Sequence, residues 1–121
     1  MIVVTRDEYA ILDQADEDWV GLHEVFWYFR ASYPKEGAEI WLKLAKQSTD
    51  SLIDKCLVRI QRVIQQAQGS SRVTLSITDA KRIVSDAASW QLPERDCTEW
   101  YEIEITPDGE KVYLSGQHKL Y

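Results

Sequence analysis

The residues in this 121-residue chain with the chemistry to catalyse or ligate are two histidines, two cysteines and a close pair of glutamates. Glu102 and Glu104 are two apart in an alternating stretch, so they share one strand face. Paired carboxylates can do acid–base work, and an acidic strand face facing solvent uses the same spacing. His23-Glu24 opens like a zinc-protease helix, but Trp27 stands where the second histidine is required. Cys56 and Cys97 form no Cys-x-x-Cys pair and are expected to be buried free thiols. Together with His23 and His118 they lack the paired spacing of a structural zinc site. The glycines at 21, 37, 69, 109 and 116 stand alone, so there is no glycine-rich phosphate loop. Asp13, Asp16, Glu17 and Asp18 lack the glycine and distal glutamate of a calcium loop. No catalytic residue, cofactor or metal is therefore assigned, and a small enzyme working through its acidic residues is the disfavoured alternative.

Charge and aromatic side chains point instead to binding. The chain carries 20 acidic and 14 basic residues, a net charge of −6, which repels phosphate backbones as a whole. Between Cys56 and Thr78 the charges are Arg59, Arg62 and Arg72 with no acid, a locally basic stretch and candidate anion contact. Trp27 and Tyr28, beside His23, Glu24 and Arg30, make their helix aromatic nearly all round, a candidate surface for a protein partner or a homodimer. Met1 to Asp7 holds too short an apolar run for a signal peptide, and no stretch reaches membrane-spanning length. A single cytoplasmic domain over 1–121, with no membrane partner, is the expectation.

The elements that must position these groups follow from periodicity. Thr5 before Arg6-Asp7-Glu8 predicts an N-cap and a helix over 6–15, and apolar residues from Trp19 to Phe29 predict another over 18–32. Ile40, Trp41, Leu44 and Ala45, then Leu52, Ile53, Cys56 and Leu57, each line one helix face. Gln47-Ser48-Thr49-Asp50 between them supplies a cap, so helices over 38–47 and 49–56 joined by a tight turn are expected. One helix from 38 to 68 is the alternative, since Leu52, Cys56, Ile60, Ile64 and Ala67 also keep a four-residue step. The change to β-branched residues after Leu57 favours a strand over 58–64. Downstream, strands are expected over 72–77 and 100–105 and a helix over 79–89 capped by Thr78. Thr106-Pro107 favours a helix over 107–114, with a Pro-Asp-Gly hairpin left open.

Thr49-Asp-Ser-Leu-Ile-Asp-Lys-Cys-Leu-Val-Arg resembles the segment of winged-helix domains in which a recognition helix ends and the first wing strand begins. Cys56 stands where those families usually carry Gly at a left-handed C-cap. Tyr101-Glu-Ile-Glu-Ile-Thr-Pro-Asp-Gly-Glu resembles the second wing strand and the opening of a C-terminal helix. The remainder is similar to small bacterial proteins of that architecture. The resemblance implies an α+β fold, a helical core with a small antiparallel sheet, and here a helix inserted between the wing strands. It also implies DNA binding as a homodimeric regulator, but Asp50 and Asp54 against Lys55 leave the would-be recognition helix over 48–55 acidic. A protein-binding or regulatory module is the preferred expectation.

Overall fold

A computed structural model describes residues 2–94 and 98–115, so Cys97 and His118 lie outside the described residues. The elements are α1 (Arg6–Glu17), β1 (Val20–Gly21), α2 (Leu22–Ser32), α3 (Ala38–Asp54), β2 (Val58–Gln66), β3 (Gly69–Thr74), α4 (Ile77–Ser85), a 3₁₀ turn (Ala87–Trp90), β4 (Glu99–Ile105) and α5 (Pro107–Ser115). The fold is α+β, with a four-stranded antiparallel sheet in the order β1-β4-β2-β3. Ile11, Leu12, Val25, Phe29, Leu52 and Val84 from the helices meet Val58, Ile60 and Ile103 on one sheet face to form the core.

Local signals set many of the boundaries. Thr5 and Glu8 form a capping box: the Glu8 N–H donates to Thr5 Oγ1 and the Thr5 N–H to Glu8 Oε1, both at 3.1 Å. Glu8 is itself buried, and its carboxylate also accepts from Ser51 Oγ at 3.0 Å and Lys55 Nζ at 2.8 Å, tying α1 to the end of α3. The expected strand over 58–64 is β2, its expected partner over 100–105 is β4, and the two pair antiparallel from Val58↔Ile105 to Ile64↔Glu99. The C-terminal helix is present, with Thr106 Oγ1 accepting from the Gly109 N–H at 3.0 Å.

Five expectations are corrected. The helices over 38–47 and 49–56 are one helix, α3, because Thr49 falls on the same face as Ala45, Leu52 and Ile53 and is fully buried. Its cap-forming hydroxyl is overruled by core packing and lies buried without a hydrogen-bond partner. Asp18 and Trp19 are not helical: Val20–Gly21 is drawn into the sheet opposite Ile103 and Glu102, so the second helix starts at Leu22. Strand β3 begins at Gly69, not Arg72, because Ala67-Gln68 makes a two-residue turn with Gly69 at φ +126°. Ser76 rather than Thr78 caps α4, accepting from the Asp79 N–H at 3.1 Å, and the helix yields to a 3₁₀ turn after Ser85. Cys56 is an exposed free thiol, not a buried one.

The reason for that exposure is the C-terminus of α3. Cys56 takes φ +61° while its N–H donates to the Ile53 carbonyl at 2.9 Å and the Leu57 N–H to the Leu52 carbonyl at 3.0 Å. This is a Schellman motif with buried Leu52 and Leu57 in contact with the core beneath it, and it turns the chain from helix into β2. The Leu57 carbonyl then accepts from the Thr106 N–H at 3.0 Å, and Thr106 Oγ1 donates to the Cys56 carbonyl at 2.8 Å. A Cβ on Gly109 would stand 2.0 Å from the same Leu57 oxygen, so only glycine lets α5 approach this closely.

Replacing Cys56 by glycine removes the left-handed strain and is expected to stabilise the protein by about 1 kcal/mol. Gly109→Ala should destabilise it by about 2 kcal/mol or more. Urea midpoints at unchanged slope check both signs.

Two phenols pin α1 to its neighbours, Tyr33 Oη donating to Asp7 Oδ2 and Tyr113 Oη to Asp13 Oδ1. Burial first and the Asp7 hydrogen bond second push the Tyr33 pKa up to about 12. The Tyr113 phenol is raised as well, chiefly by its hydrogen bond to Asp13. A phenol with a raised folded pKa favours the protonated form. Its contribution is fully present below the ordinary value near 10 and is lost as pH rises through the folded value. Stability is therefore expected to fall between about pH 10 and 12, with a shallower fall in Tyr33→Phe, measured by urea titration across that range.

Candidate functional site

Strand β2 places Arg59 and Arg62 on opposite faces of the sheet, so the three arginines of the basic stretch do not form one surface. Arg72 on β3 stands opposite Val63 and shares the face of Arg59, the one turned away from the helices. On that outer face Glu102 and Glu104 of β4 meet them. The Arg72 guanidinium lies 4.0 Å over the Trp19 ring and donates to Glu102 Oε1, from Nη2 at 3.0 Å and from Nε at 3.3 Å. Trp100 Nε1 donates to Glu102 Oε2 at 3.0 Å. Glu104 accepts from Trp19 Nε1 at 3.1 Å and Gln61 Nε2 at 3.1 Å, with Arg59 Nη1 3.7 Å away. On the inner face Arg62 Nε is 3.6 Å from Glu99.

This network changes the charge around the expected anion contact. β4 brings a glutamate to each of Arg59, Arg62 and Arg72, so the local charge that looks basic along the chain is neutralised across the strands. It also disposes of Glu102 and Glu104 as a free carboxylate pair, since all four of their oxygens already accept hydrogen bonds or face arginine. Sequence spacing carried no signal for the pairing partners, which are 37 or more positions away for Arg59 and Arg62 and 30 for Arg72. Trp19 and Trp100, not singled out as site residues, are the covers of this face, and Val63 is fully buried beside Trp100 and Arg72.

Trp27 and Tyr28 part company. Trp27 is 39% exposed, with the His23 ring edge-on at 5.1 Å, and lines a recess with Phe26, Leu42, Trp90 and Leu92. Tyr28 is half-buried edge-on against Phe29 at 5.1 Å and belongs to the core margin.

A second recess of about 390 Å³ opens between the end of α3, the start of β2 and the starts of α4 and α5. Its walls are Ile53, Val58, Ile60, Leu75, Ile77 and Ala80, with Cys56, Arg59 and Asp108 among its rim. The recess offers mainly apolar contact area. No three His, Cys, Asp or Glu side chains among the described residues are grouped to hold a metal ion, and no helix among them is long and apolar enough to cross a membrane.

No family model, no curated protein and no solved structure matches the chain.

Because Arg72 is stacked and doubly hydrogen-bonded while Arg59 makes one long exposed contact, Arg72→Ala should cost about 1–2 kcal/mol and Arg59→Ala well under about 1 kcal/mol. Paired urea denaturation curves separate the two, and equal costs would mean that the stacked network is not formed in solution.

Proposed function

We propose that the chain is a non-enzymatic protein-binding or regulatory module of winged-helix type. In keeping with that resemblance, α2 and α3 are joined by a five-residue turn and followed by the antiparallel pair β2 and β4, with short β1 on the far side of β4. The helix pair that resembles a helix-turn-helix is thus α2–α3, one element earlier than the 38–47 and 49–56 spacing suggests. α4 is the insertion between the two wing strands.

The observation that carries the protein-binding reading is where α4 lies. It packs along α3, and Lys81 reaches Asp50 at 3.6 Å and Asp54 at 2.5 Å. The hydrogen bond to Asp54 is the chief reason the Lys81 ammonium is held above its ordinary range. The helix that would enter a DNA groove is therefore partly covered, and within Ala38–Asp54 three acids face two lysines. Arg59, Arg62 and Arg72, the arginines that argue for phosphate contact, each lie beside a glutamate. The apolar recess and the exposed Trp27 are surfaces of the kind that bind protein.

The test is fluorescence anisotropy of labelled genomic and random duplexes at about 0.15 M salt. Binding no tighter than the non-specific range of about 10⁻⁴ to 10⁻⁶ M is expected. A sequence-selective complex near 10⁻⁸ M, on the order of specific regulators, would overturn the reading.

A further inference from the structure

Strand β3 ends the sheet on one side, and all six of its residues are exposed. The Leu75 N–H donates to the Ile60 carbonyl at 2.9 Å, which fixes the hydrogen-bonding phase between the two strands. In the register Gln66↔Gly69, Ile64↔Ser71 and Arg62↔Val73 are then the hydrogen-bonded pairs, and Ser70, Arg72 and Thr74 turn their amides and carbonyls outward. Exposed edges are normally protected by Lys, Pro, a bulge or extreme shortness. Gly69–Thr74 has no Lys and no Pro, and its register with β2 runs unbroken through six pairs.

The charge of this margin selects the occupant. No acid lies between Asp54 and Asp79, so in a chain of net charge −6 this is where two copies can meet without carboxylates facing one another. The single charge on β3, Arg72, is drawn back over Trp19 and onto Glu102. Apolar area is waiting on the helix side of the same margin: Val73 is 46% exposed and Ile77 is 57% exposed. A second copy also brings a strand already in the extended conformation, which avoids the ordering cost that a flexible peptide carries.

We propose that β3 pairs antiparallel with β3 of a second copy about a twofold axis at Val73, joining the two sheets into one of eight strands. This names the partner within the protein-binding reading and rests on it. The axis position follows from the side chains. An axis at Arg72 sets the guanidinium opposite its own copy, and one at Ser71 sets Val73 against Gly69. An axis at Val73 pairs valine with valine at a non-hydrogen-bonded position, and pairs the outward groups of Arg72 with those of Thr74 on both sides. About this axis Arg72–Thr74 of one strand face Arg72–Thr74 of the other, a contact smaller than a standard interface, so the dimer is expected to form in the micromolar range.

Sedimentation velocity of the full chain from about 1 to 100 μM reads the association. The wild type should shift from monomer to dimer across that range. V73D should dimerise at least tenfold more weakly with an unchanged melting midpoint in dilute solution, and W27A should behave as the wild type. In a background with Cys56 and Cys97 replaced by serine, V73C should form an inter-chain disulfide under mild oxidation and S71C should not, because a non-hydrogen-bonded pair sets the Cα atoms about 4.5 Å apart, within disulfide range. A monomer at every concentration, or an association lost in W27A and retained in V73D, overturns the inference. Either result leaves the protein-binding reading standing, since that reading is decided separately by the DNA titration.

Discussion

The carbonyl of Leu57 is the point on which this structure turns. It lies one residue beyond the left-handed Cys56, where a 17-residue helix ends and a central strand begins, and the Thr106 N–H reaches it from the end of the neighbouring strand β4. The Schellman hydrogen bonds fix the direction in which β2 leaves α3. The Thr106 contact then brings the end of β4 alongside, and Gly109 lets α5 close over the same atom. Three segments far apart in the chain are thereby aligned by one backbone group, and the pairing of β2 with β4 extends that alignment through seven residues. Strain at a non-glycine left-handed residue is tolerated here because the surrounding hydrogen bonds leave the chain no other exit.

Charge is organised around the same frame. Most acids of this acidic chain are solvated, but Glu8, Glu99, Glu102 and Glu104 are each brought to a cation by tertiary structure. Glu8 is the buried case, compensated by Lys55, Ser51 and the Thr5 amide, so its desolvation is offset by hydrogen bonds on both oxygens. Glu102 and Glu104 serve a different end: they seal the outer sheet face with Trp19 and Trp100 in place of a helix layer. Six cations among the described residues, Lys55, Arg59, Arg62, Arg72, Lys81 and Arg82, are thereby held in ion pairs. The surface outside these pairs carries the chain's excess of acids and is apolar at a few recesses and along one sheet margin.

Much of the local structure was legible in the sequence, because the forces that set it are local. The Thr5–Glu8 capping box, the β-branched run from Val58, the alternation from Trp100 to Ile105 and the Thr106-Pro107 helix start each act within a few residues, and each element is found where those signals stand. Strand β1 was not legible, since two residues carry no periodicity and Val20–Gly21 is extended only because β4 lies beside it.

What tertiary structure alone decided is which of two locally permitted states prevails and which distant groups meet. Ser48-Thr49 can cap a helix, yet α3 continues through it because Thr49 lies in step with Ala45 and Leu52, and burying that face outweighs one cap hydrogen bond. Arg59, Arg62 and Arg72 read as a basic cluster because their partners lie at least 30 positions away and arrive only through strand pairing. Residue types and local spacing determined where helix α1 begins, the two long paired strands and the start of α5. The pairing register, which has no local signature, determined which side chains meet on each face of the sheet.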